Sequence, residues 1–366
     1  MEGDMTRIRR WLMPFSWLYG LAMDIRNALF NIGVLPSVSY DIPVINVGNI
    51  TVGGTGKTSH VEYLIRLLSP QYRVAVLSRG YKRKTKGYLL STTSSTMEEI
   101  GDEPWQIKQK FPEVYVAVDA NRRRGIERLM KDEATRDVQV ILLDDAYQHR
   151  YVKAGHNILL VDYHRFIAND CLLPAGRLRE RASASIRAST IIVTKCPQHI
   201  NAMGFRVILS SLEIRPYQQL FFSTFTYGTM RQLWGDGTLE PDMLRKDNAH
   251  VLLLTGIGNP RQMEQDVRRF AQHITPLVFP DHHYYTKQDV EAINKALQEQ
   301  PKPHVIVTTE KDAARLLHLK GFSQEVMEST YVLPVEISIM REEKEKLNKT
   351  IRDYVRENKR NSIVTP

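Results

Sequence analysis

A glycine-rich segment in the first quarter of the chain has the residue types that hold a nucleotide phosphate. In VGNITVGGTGKT, a lysine and a threonine follow directly after a glycine. In such a phosphate-binding loop, or P-loop, backbone N–H groups surround the phosphates, the lysine reaches the β- and γ-phosphates, and the hydroxyl binds Mg²⁺. A threonine stands where the common pattern has its first glycine. The predicted nucleotide-binding residues are Thr51, Val52, Gly53, Gly54, Thr55, Gly56, Lys57 and Thr58.

Two adjacent carboxylates give this loop a metal-binding partner. Asp144 and Asp145 end the apolar run VILLDDA. A buried strand that ends in an acid beside a P-loop is typical of a Mg²⁺ site, although an Asp-Asp pair after a strand is also typical of a turn or helix cap. We therefore predict ATP and Mg²⁺ as cofactors, with Thr58, Asp144 and Asp145 as metal ligands. The sequence leaves open which aspartate contacts the metal directly.

Local sequence disfavours two other kinds of P-loop protein. Val52 precedes the two glycines, where partitioning-type ATPases have a signature lysine. The run Thr194-Lys195-Cys196-Pro197 lacks the aspartate with which GTPases read guanine. An ATP-dependent transferase is therefore the leading class.

The elements that position these residues alternate between strands and helices. Short apolar runs separated by amphipathic segments predict an α/β fold, a P-loop NTPase-like, mostly parallel sheet with helices on both faces. Helices are predicted over residues 57–68, 103–110 and 122–131. Segment 212–225 contains a proline and an aromatic run, which we interpret as a hinge. The predicted strands before it are PVINVGN, RVAVLSRG, EVYVAVD, VQVILLDDA, NILLVDY and TIIVTKCP.

The alternation resumes after the hinge and predicts a second, smaller α/β domain. Its predicted strands are HVLLLTGIG, ITPLVFP and HVIVTTEKD, and its predicted helices cover residues 260–273, 287–300 and 341–356. The expected domains are an N-terminal amphipathic helical segment over residues 1–40, a P-loop kinase domain over 41–215, and the smaller domain with its C-terminal helix over 216–366.

Composition places the chain among ordinary globular proteins. Its 366 residues, 42% of them hydrophobic and 25% charged, are enough for two hydrophobic cores. Two cysteines cannot form a disulfide framework, which favours a reducing, cytosolic setting. The net charge is +9, and much of the excess lies in TRIRRW, SRGYKRKTKGY, NRRRGIER and GRLRERASASIR. Such clusters either attract phosphates or form a solvated surface.

The N-terminal segment combines arginines with an apolar run. Arg7, Arg9 and Arg10 precede WLMPFSWLYGLAM. The run is shorter than the ~20 apolar residues of a membrane span, and no cleavage site of the signal-peptide kind follows it. We predict a helix that lies in a membrane interface. A helix packed on the protein's own core is the alternative, since apolar periodicity does not separate the two.

Taken together and in order, these motifs resemble the tetraacyldisaccharide 4'-kinases of lipid A biosynthesis. The Thr51 form of the P-loop belongs to the pattern of that family, so we expect the loop to function. The matching runs are VGNITVGGTGKT, LSRGYKRKTKG, GDEP, DDAYQHR and LLPAGRLRE, followed by TGIGNP, FPDHHYY and TTEKDAARL.

The resemblance implies an activity, a substrate and a location. The activity is transfer of the ATP γ-phosphate to the 4'-hydroxyl of a tetraacylated disaccharide 1-phosphate, an anionic glycolipid. The enzyme would lie on the cytoplasmic face of the bacterial inner membrane as a peripheral protein, in contact with the membrane surface through its N-terminal helix. Neither a nucleic acid nor an obligate protein partner is implied.

The resemblance also implies roles for residues outside the P-loop. Asp102, in GDEP, resembles the catalytic carboxylate of the family and His282 its partner histidine, and hinge closure would complete the site. A helix cap is the alternative for Asp102, and the sequence leaves open whether His282 or His283 faces the site. For Arg79 and Arg179 a structural ion pair is the alternative. The implied substrate-binding residues are Arg79, Glu103, Arg122, His149 and Arg179.

Two departures from the family pattern concern substrate fit. Ala146 and Tyr147 replace glycine and phenylalanine in DDAYQH, and alanine resists the positive φ that glycine tolerates. Arg177 replaces a proline in LLPAGRLRE.

Three other functions remain open from the sequence. A P-loop kinase for another small-molecule or lipid acceptor would share the nucleotide site. A nucleic-acid-binding ATPase would use the basic runs and bind DNA or RNA in a salt-sensitive way, but recognised nucleic-acid motifs are absent from the sequence around them. A membrane-bound nucleotide switch would bind ATP without needing Asp102.

Overall fold

The computed structural model describes residues 8–281 and 283–357, in which the chain forms two compact units. Unit 1 combines the chain up to Phe225 with the segment from Ile337 onward, and unit 2 comprises Thr226–Glu336. The chain therefore leaves the first unit, builds the second, and returns to the first.

The strands of the described residues, in chain order, are β1 (Val44–Gly48), β2 (Val74–Ser78), β3 (Leu89–Leu90), β4 (Tyr115–Val118), β5 (Val140–Asp144), β6 (His156–Asp162), β7 (Thr190–Thr194), β8 (Gln219–Tyr227), β9 (Met230–Gln232), β10 (Thr238–Leu239), β11 (His250–Thr255), β12 (His273–Val278), β13 (His304–Thr309), β14 (Thr330–Leu333) and β15 (Val335–Ile339).

The α-helices of the same residues are α1 (Met13–Asn31), α2 (Lys57–Leu68), α3 (Met97–Ile100), α4 (Asp102–Lys110), α5 (Arg122–Lys131), α6 (Ala202–Leu212), α7 (Pro241–Lys246), α8 (Pro260–Val267), α9 (Lys287–Gln298), α10 (Glu310–Leu316), α11 (Gln324–Ser329) and α12 (Lys344–Glu357).

Unit 1 is built on a nine-stranded sheet in the order β15-β8-β7-β6-β1-β5-β2-β4-β3. The pairings from β8 through to β4 are parallel, and only the edge pair of β3 with β4 is antiparallel among those with a defined register. Every residue of β1, β2, β5 and β7 is buried. Runs rich in Val, Ile and Leu are typical of parallel strands covered on both faces, which explains why these strands were recognisable in the sequence.

The end of the first sheet differs from the predicted domain ranges. The segment interpreted as a hinge ends in β8, which pairs in parallel with β7 inside the sheet of unit 1. Helix α12, predicted to close the second domain, packs in unit 1, where Leu347, Ile351 and Val355 are buried in the core. The Tyr354 hydroxyl bonds both the N–H and the C=O of Val44 in β1. The predicted range 216–366 therefore differs from the observed unit at both ends, because the chain returns to its first core.

Unit 2 is a six-stranded sheet in the order β10-β9-β14-β13-β11-β12. Strand β11 lies in parallel register between β12 and β13, and β13 is parallel to β14. Because carboxyl ends of neighbouring parallel strands meet at one edge, the motifs TGIGNP, FPDHHYY and TTEKDAARL, which follow β11, β12 and β13, are brought together. Helix α8 ends earlier than predicted, at Val267, since five residues are needed to reach β12.

Helix α1 has two different faces. One face packs on unit 1: the Ser16 hydroxyl donates to the carbonyl of Leu172, and the Asn27 amide donates to the Glu180 carboxylate. The opposite face is apolar and exposed to more than half, with the residues Trp11, Phe15, Trp17, Leu18, Leu21, Ile25 and Ile32 in and beside the helix. Among the described helices, none has the length and hydrophobicity required to cross a membrane.

Two buried histidines make the stability of unit 1 depend on pH. Burial lowers the pKa of His60 and of His156 to about 4. The unfolded chain binds a proton on each below about pH 6.5, whereas the folded chain does so only near pH 4, so stability falls as the pH drops through this window.

We expect each of these histidines to lower the free energy of unfolding by about 2 kcal/mol when the pH falls from 7 to 5. In His156→Gln, urea unfolding at both pH values should show that difference reduced by this amount. An unchanged pH dependence in the variant would contradict the assignment. His156 is suited to the test because its Nε2 contacts only the Thr190 hydroxyl among the described residues.

Candidate active site

The predicted site residues of unit 1 lie at one edge of its sheet. The P-loop follows β1, the two aspartates end β5, Arg79 follows β2, and Arg122 follows β4. Strands β1, β5, β2 and β4 are consecutive neighbours and mutually parallel. Their carboxyl ends therefore share one edge, which is where open α/β sheets bind their ligands.

The P-loop has the geometry of an anion-binding turn. Gly56 has φ +81°, and α2 begins at the next residue, Lys57. Gly53 has φ +115°, and a Cβ there would lie 3.1 Å from Nη1 of Arg165. Both glycines are thus needed for the path of the chain. The loop leads directly into the N-terminal end of α2, and the N-termini of helices are sites where phosphate groups bind.

The first half of the loop is extended, which accounts for the threonine at its start. Thr51 forms an antiparallel bridge with Leu178. The Val52 N–H donates to the carbonyl of Arg177 at 2.8 Å, and the Arg179 N–H donates to the carbonyl of Ile50 at 2.7 Å. A β-branched residue suits this extended backbone, so glycine is not required there.

Strands β6 and β7 support the second half of the loop. The Lys195 ammonium donates to the Gly54 carbonyl and forms a buried ion pair with Asp162, at 2.8 Å. The Thr194 hydroxyl donates to the Thr55 carbonyl at 3.0 Å. These contacts hold both carbonyls away from the side on which the amides bind phosphate. Sequence reasoning missed this support, although the signal was the same TKCP run that we used only to exclude a GTPase.

Lys195→Met should therefore weaken ATP binding. Loss of the ammonium frees the loop carbonyl and leaves Asp162 unpaired, so we expect the KM for ATP to rise about tenfold, with a smaller effect on kcat. Lys108→Met is the matched control. Lys108 is also buried, lies near the C-terminal end of α4, and donates to the carbonyls of Pro112 and Val114. Equal effects of both variants on KM would show a general loss of stability instead.

Asp145 is the charged partner of the P-loop lysine. Its carboxylate lies 3.6 Å from Nζ of Lys57 and 3.3 Å from Nη1 of Arg179. Burial raises the pKa of Asp145, but the charges of Lys57 and Arg179 outweigh it and hold the pKa below its usual value. Asp145 also has φ +51°, a conformation that aspartate tolerates. A positive φ was considered at Ala146 because the family has a glycine there. In this structure the positive φ is found one residue earlier, at Asp145.

Asp144 is buried and only partly satisfied. Its Oδ2 accepts from the Ser78 hydroxyl at 3.2 Å, whereas its Oδ1 has no hydrogen-bond partner among the described residues. Burial, together with the charges of Glu103 and Asp145, raises the pKa of Asp144 to about 7. A divalent cation supplies the positive charge that such a group lacks, so Asp144, Asp145 and the Thr58 hydroxyl fit a Mg²⁺ ion that takes further ligands from phosphate.

Asp102 and Glu103 form the first turn of α4. Gly101, just before them, has φ +92°, and a Cβ there would lie 3.0 Å from the Tyr81 carbonyl. The helix start is therefore held against the segment that follows β2. Both carboxylates are half-buried, and the influence of Glu103 on Asp144 places this helix start near the metal-binding acids.

Arg122 is buried beneath the site. Its guanidinium donates to the carbonyls of Asp119 at 2.8 Å and Asp144 at 3.2 Å, and 2% of the residue is exposed. Burial lowers its pKa to about 10, which leaves it charged at neutral pH. We interpret Arg122 as support for the end of β5. Arg79, in contrast, is exposed, and its side chain has no hydrogen bond or ion pair within the described residues.

His149 is a neutral hydrogen-bonding group at this edge. Burial, together with the nearby charges of Arg122, Arg26 and Arg79, lowers its pKa to about 4. Its Nε2 is buried and has no partner in the described part of the chain. The turn that carries it is tied to the P-loop, since the Gln148 amide donates to the Asn49 carbonyl at 2.7 Å.

In unit 2, the structure describes one of the two candidate histidines. His283 is engaged: its Nε2 lies 3.0 Å from Oδ2 of Asp289, and its ring stacks on Phe279 with centroids 5.1 Å apart. His282 lies outside the described residues.

The whole chain is similar to proteins of one family. The pattern of the family described as Tetraacyldisaccharide-1-P 4'-kinase matches residues 8–356. The Tetraacyldisaccharide 4'-kinase of Phocaeicola vulgatus is 49% identical over 363 residues, covering 99% of both chains. That of Bacteroides thetaiotaomicron is 46% identical over 370 residues, covering 99% of this chain and 97% of its own.

A solved structure extends the similarity to three dimensions. The crystal structure of the "apo" form of LpxK from Aquifex aeolicus, in complex with ATP, superposes with a TM-score of 0.73 at 30% identity. The match covers 95% of this chain and 99% of that one. With a family pattern and relatives that span nearly the whole length, this chain belongs to the tetraacyldisaccharide-1-phosphate 4'-kinase family.

Proposed function

We propose that this protein transfers the γ-phosphate of ATP to the 4'-hydroxyl of a tetraacyldisaccharide 1-phosphate. The observation that carries the proposal is the placement of Lys57 and the two aspartates on neighbouring strand ends, with one buried carboxylate oxygen of Asp144 left unpartnered. Near-full-length relatives that bear this activity as their name identify the acceptor.

In the proposed reaction, Asp102 accepts the proton of the sugar hydroxyl. The hydroxyl oxygen forms a bond to the γ-phosphorus as the bond between that phosphorus and the β,γ-bridging oxygen breaks, and ADP leaves. The half-buried start of α4 suits this role, because a helix N-terminus favours a negatively charged group.

Charge on the transferred phosphate is neutralised by two sets of groups. Lys57 and the P-loop amides hold the β- and γ-phosphates, while Asp144, Asp145 and Thr58 hold Mg²⁺, which neutralises developing charge when bound. The raised pKa of Asp144 supports this, since a bound cation would displace the proton of this buried carboxyl group to solvent and supply the positive charge that it lacks.

The acceptor also carries a phosphate, for which Arg79 is the best-placed group. It is exposed at the same sheet edge and near Arg122 and His149. Arg179 forms an ion pair with Asp145, and the charge of Glu103 helps to raise the pKa of Asp144. We therefore assign Arg179 and Glu103 to the part of the site that binds the metal and the nucleotide. His149, neutral and unpartnered at Nε2, suits a substrate hydroxyl.

The role proposed for His282, as partner of Asp102, rests on the resemblance of FPDHHYY to the family motif. The engagement of His283 by Asp289 and Phe279 supports this choice, because it gives His283 a structural role.

The exposed apolar face of α1 is proposed to bind the inner membrane at its cytoplasmic face, where ATP and the lipid substrate are both available. The face combines Trp, Phe and Leu with nearby Arg9 and Arg10, which is typical of interfacial helices. Its opposite face is tied to unit 1, so the helix can lie on a membrane without leaving the protein.

Replacing Phe15 and Leu18 together by serine should weaken binding to anionic vesicles about a hundredfold, since each large apolar side chain contributes about 1.5 kcal/mol when buried. Flotation with liposomes measures this. The control replaces Leu317 and Met327, two exposed apolar residues of unit 2, by serine. Unchanged flotation of the α1 variant would contradict membrane binding by this helix.

The function is tested by phosphate transfer from γ-labelled ATP to a tetraacyldisaccharide 1-phosphate in mixed micelles. The control is the same lipid with its 4'-hydroxyl already phosphorylated, and it should receive no label. Transfer to the first lipid alone is the expected result. Intact ATP binding without transfer would overturn the lipid acceptor and favour a kinase for another substrate.

A further inference from the structure

A buried carboxylate joins three segments of unit 2. Asp312 in α10 is fully buried. Its Oδ2 accepts from the Gly256 N–H at 2.9 Å and from the Thr309 hydroxyl at 2.7 Å. Its Oδ1 accepts from the Tyr285 hydroxyl at 3.1 Å. Gly256 follows β11, Thr309 ends β13 and Tyr285 follows β12, so one side chain connects the carboxyl ends of three strands.

The loop after β11 is shaped to admit this carboxylate. A Cβ on Gly256 would lie 2.8 Å from Oδ1 of Asp312 and 3.1 Å from the Tyr285 hydroxyl, so only glycine fits. The guanidinium of Arg315 lies 3.4 Å from both Oδ1 of Asp312 and the Gly256 carbonyl. The Asp312 carboxylate thus accepts the hydrogen bond of the Gly256 N–H. In other glycine-containing loops, such an N–H group can bind an anion from outside the protein.

Tyr285 connects Asp312 to the segment after β12. We call this segment, comprising Phe279–Asp281 and His283–Tyr285, the histidine turn. Its rings pack together, with Phe279 5.0 Å from Tyr285 and 5.1 Å from His283 between centroids. The Phe279 N–H donates to the Thr255 carbonyl at 2.7 Å. The Tyr285 hydroxyl is a second polar tie between the turn and the segments beside it.

We propose that Asp312 is a positioning residue for phosphoryl transfer, acting through Tyr285 to hold the histidine turn in one geometry. The proposal rests on the proposed kinase function, and it gives a role to the TTEKDAARL motif, for which sequence reasoning assigned none. A turn misplaced by about 1 Å can cost on the order of a hundredfold in rate even when substrates still bind.

Tyr285→Phe tests the proposal because it removes one hydroxyl and keeps the aromatic packing. We expect kcat to fall about tenfold, with the KM for ATP within about twofold of wild type. Tyr227→Phe is the matched control: Tyr227 also donates to a buried carboxylate of unit 2, Asp266, at 2.7 Å. Asp266 lies near the C-terminal end of α8, which runs away from the carboxyl edge of the sheet. This variant should lose comparable stability and keep kcat.

A second measurement is independent of activity. Hydrogen exchange of peptides covering residues 279–285 should be faster in Tyr285→Phe than in Tyr227→Phe, because a polar tie that holds the turn is lost. Asp312→Asn, which keeps the shape and removes the charge, should show the same exchange and a larger loss of kcat.

The outcomes separate the two proposals. An active wild type with full kcat in Tyr285→Phe, or with equal losses in both tyrosine variants, would overturn the role of Asp312 alone. A wild type that binds ATP but transfers no phosphate to the lipid would overturn the proposed function, and this inference with it.

Discussion

Asp102→Asn is expected to lower kcat about a thousandfold while ATP binding stays unchanged. The amide has the shape of the carboxylate but does not accept the proton of the sugar hydroxyl, and general-base catalysis contributes roughly 10²–10⁴ in rate. Because Asp102 is the first residue of α4 and not part of the P-loop, its loss should spare the nucleotide. Single-turnover transfer from γ-labelled ATP measures the rate, and calorimetry measures ATP binding.

The competing role for Asp102 is stabilisation of a helix start, so the control is an acid with that role alone. Asp242 is exposed in the first turn of α7, in unit 2. A helix-start charge contributes about 0.3–1 kcal/mol, so Asp242→Asn should lower the melting temperature slightly and leave kcat unchanged. If Asp102→Asn did no more than this, the assignment as base would be wrong.

The nucleotide half of the site was predictable because it depends on local sequence. The P-loop, the acids that end β5, and helix α2 at Lys57–Leu68 were all predicted from residues near one another in the chain, and the structure has α2 over the same residues. Strands buried on both faces leave continuous apolar runs, which are easy to recognise.

What the sequence did not show depends on contacts between distant segments. Strand β8 joins β7, and α12 returns to β1, but neither pairing has a local signature. The support of the P-loop by Lys195 and the tie from Asp312 to Tyr285 are of the same kind, since they connect residues 141 and 27 positions apart. The substrate contact that the family resemblance implied for Arg122 stays a prediction: its guanidinium donates to two backbone carbonyls, and its Nε has no partner among the described residues.

The paired charges at Lys57 and Asp145 lead to the second large effect. The side chain of Lys57 is 12% exposed, and its Nζ lies 3.6 Å from Oδ1 of Asp145. Its ammonium is the only group at the start of α2 that carries a full positive charge in the described structure. An incoming γ-phosphate would contact the Lys57 ammonium together with Asp145. The positive charge stabilises the transition state of phosphoryl transfer most strongly.

Lys57→Met should therefore reduce kcat/KM for ATP by about a thousandfold, because the thioether chain fills the same space without charge. Asp145 keeps its contact with Arg179, so the fold should persist and the melting temperature change little. Lys131→Met, an exposed lysine at the end of α5, is the control and should behave as wild type. Transfer from γ-labelled ATP to the lipid gives the rate. Substantial activity in Lys57→Met would mean that the loop binds the nucleotide without stabilising its transfer, and Arg79 would become the next candidate for that charge.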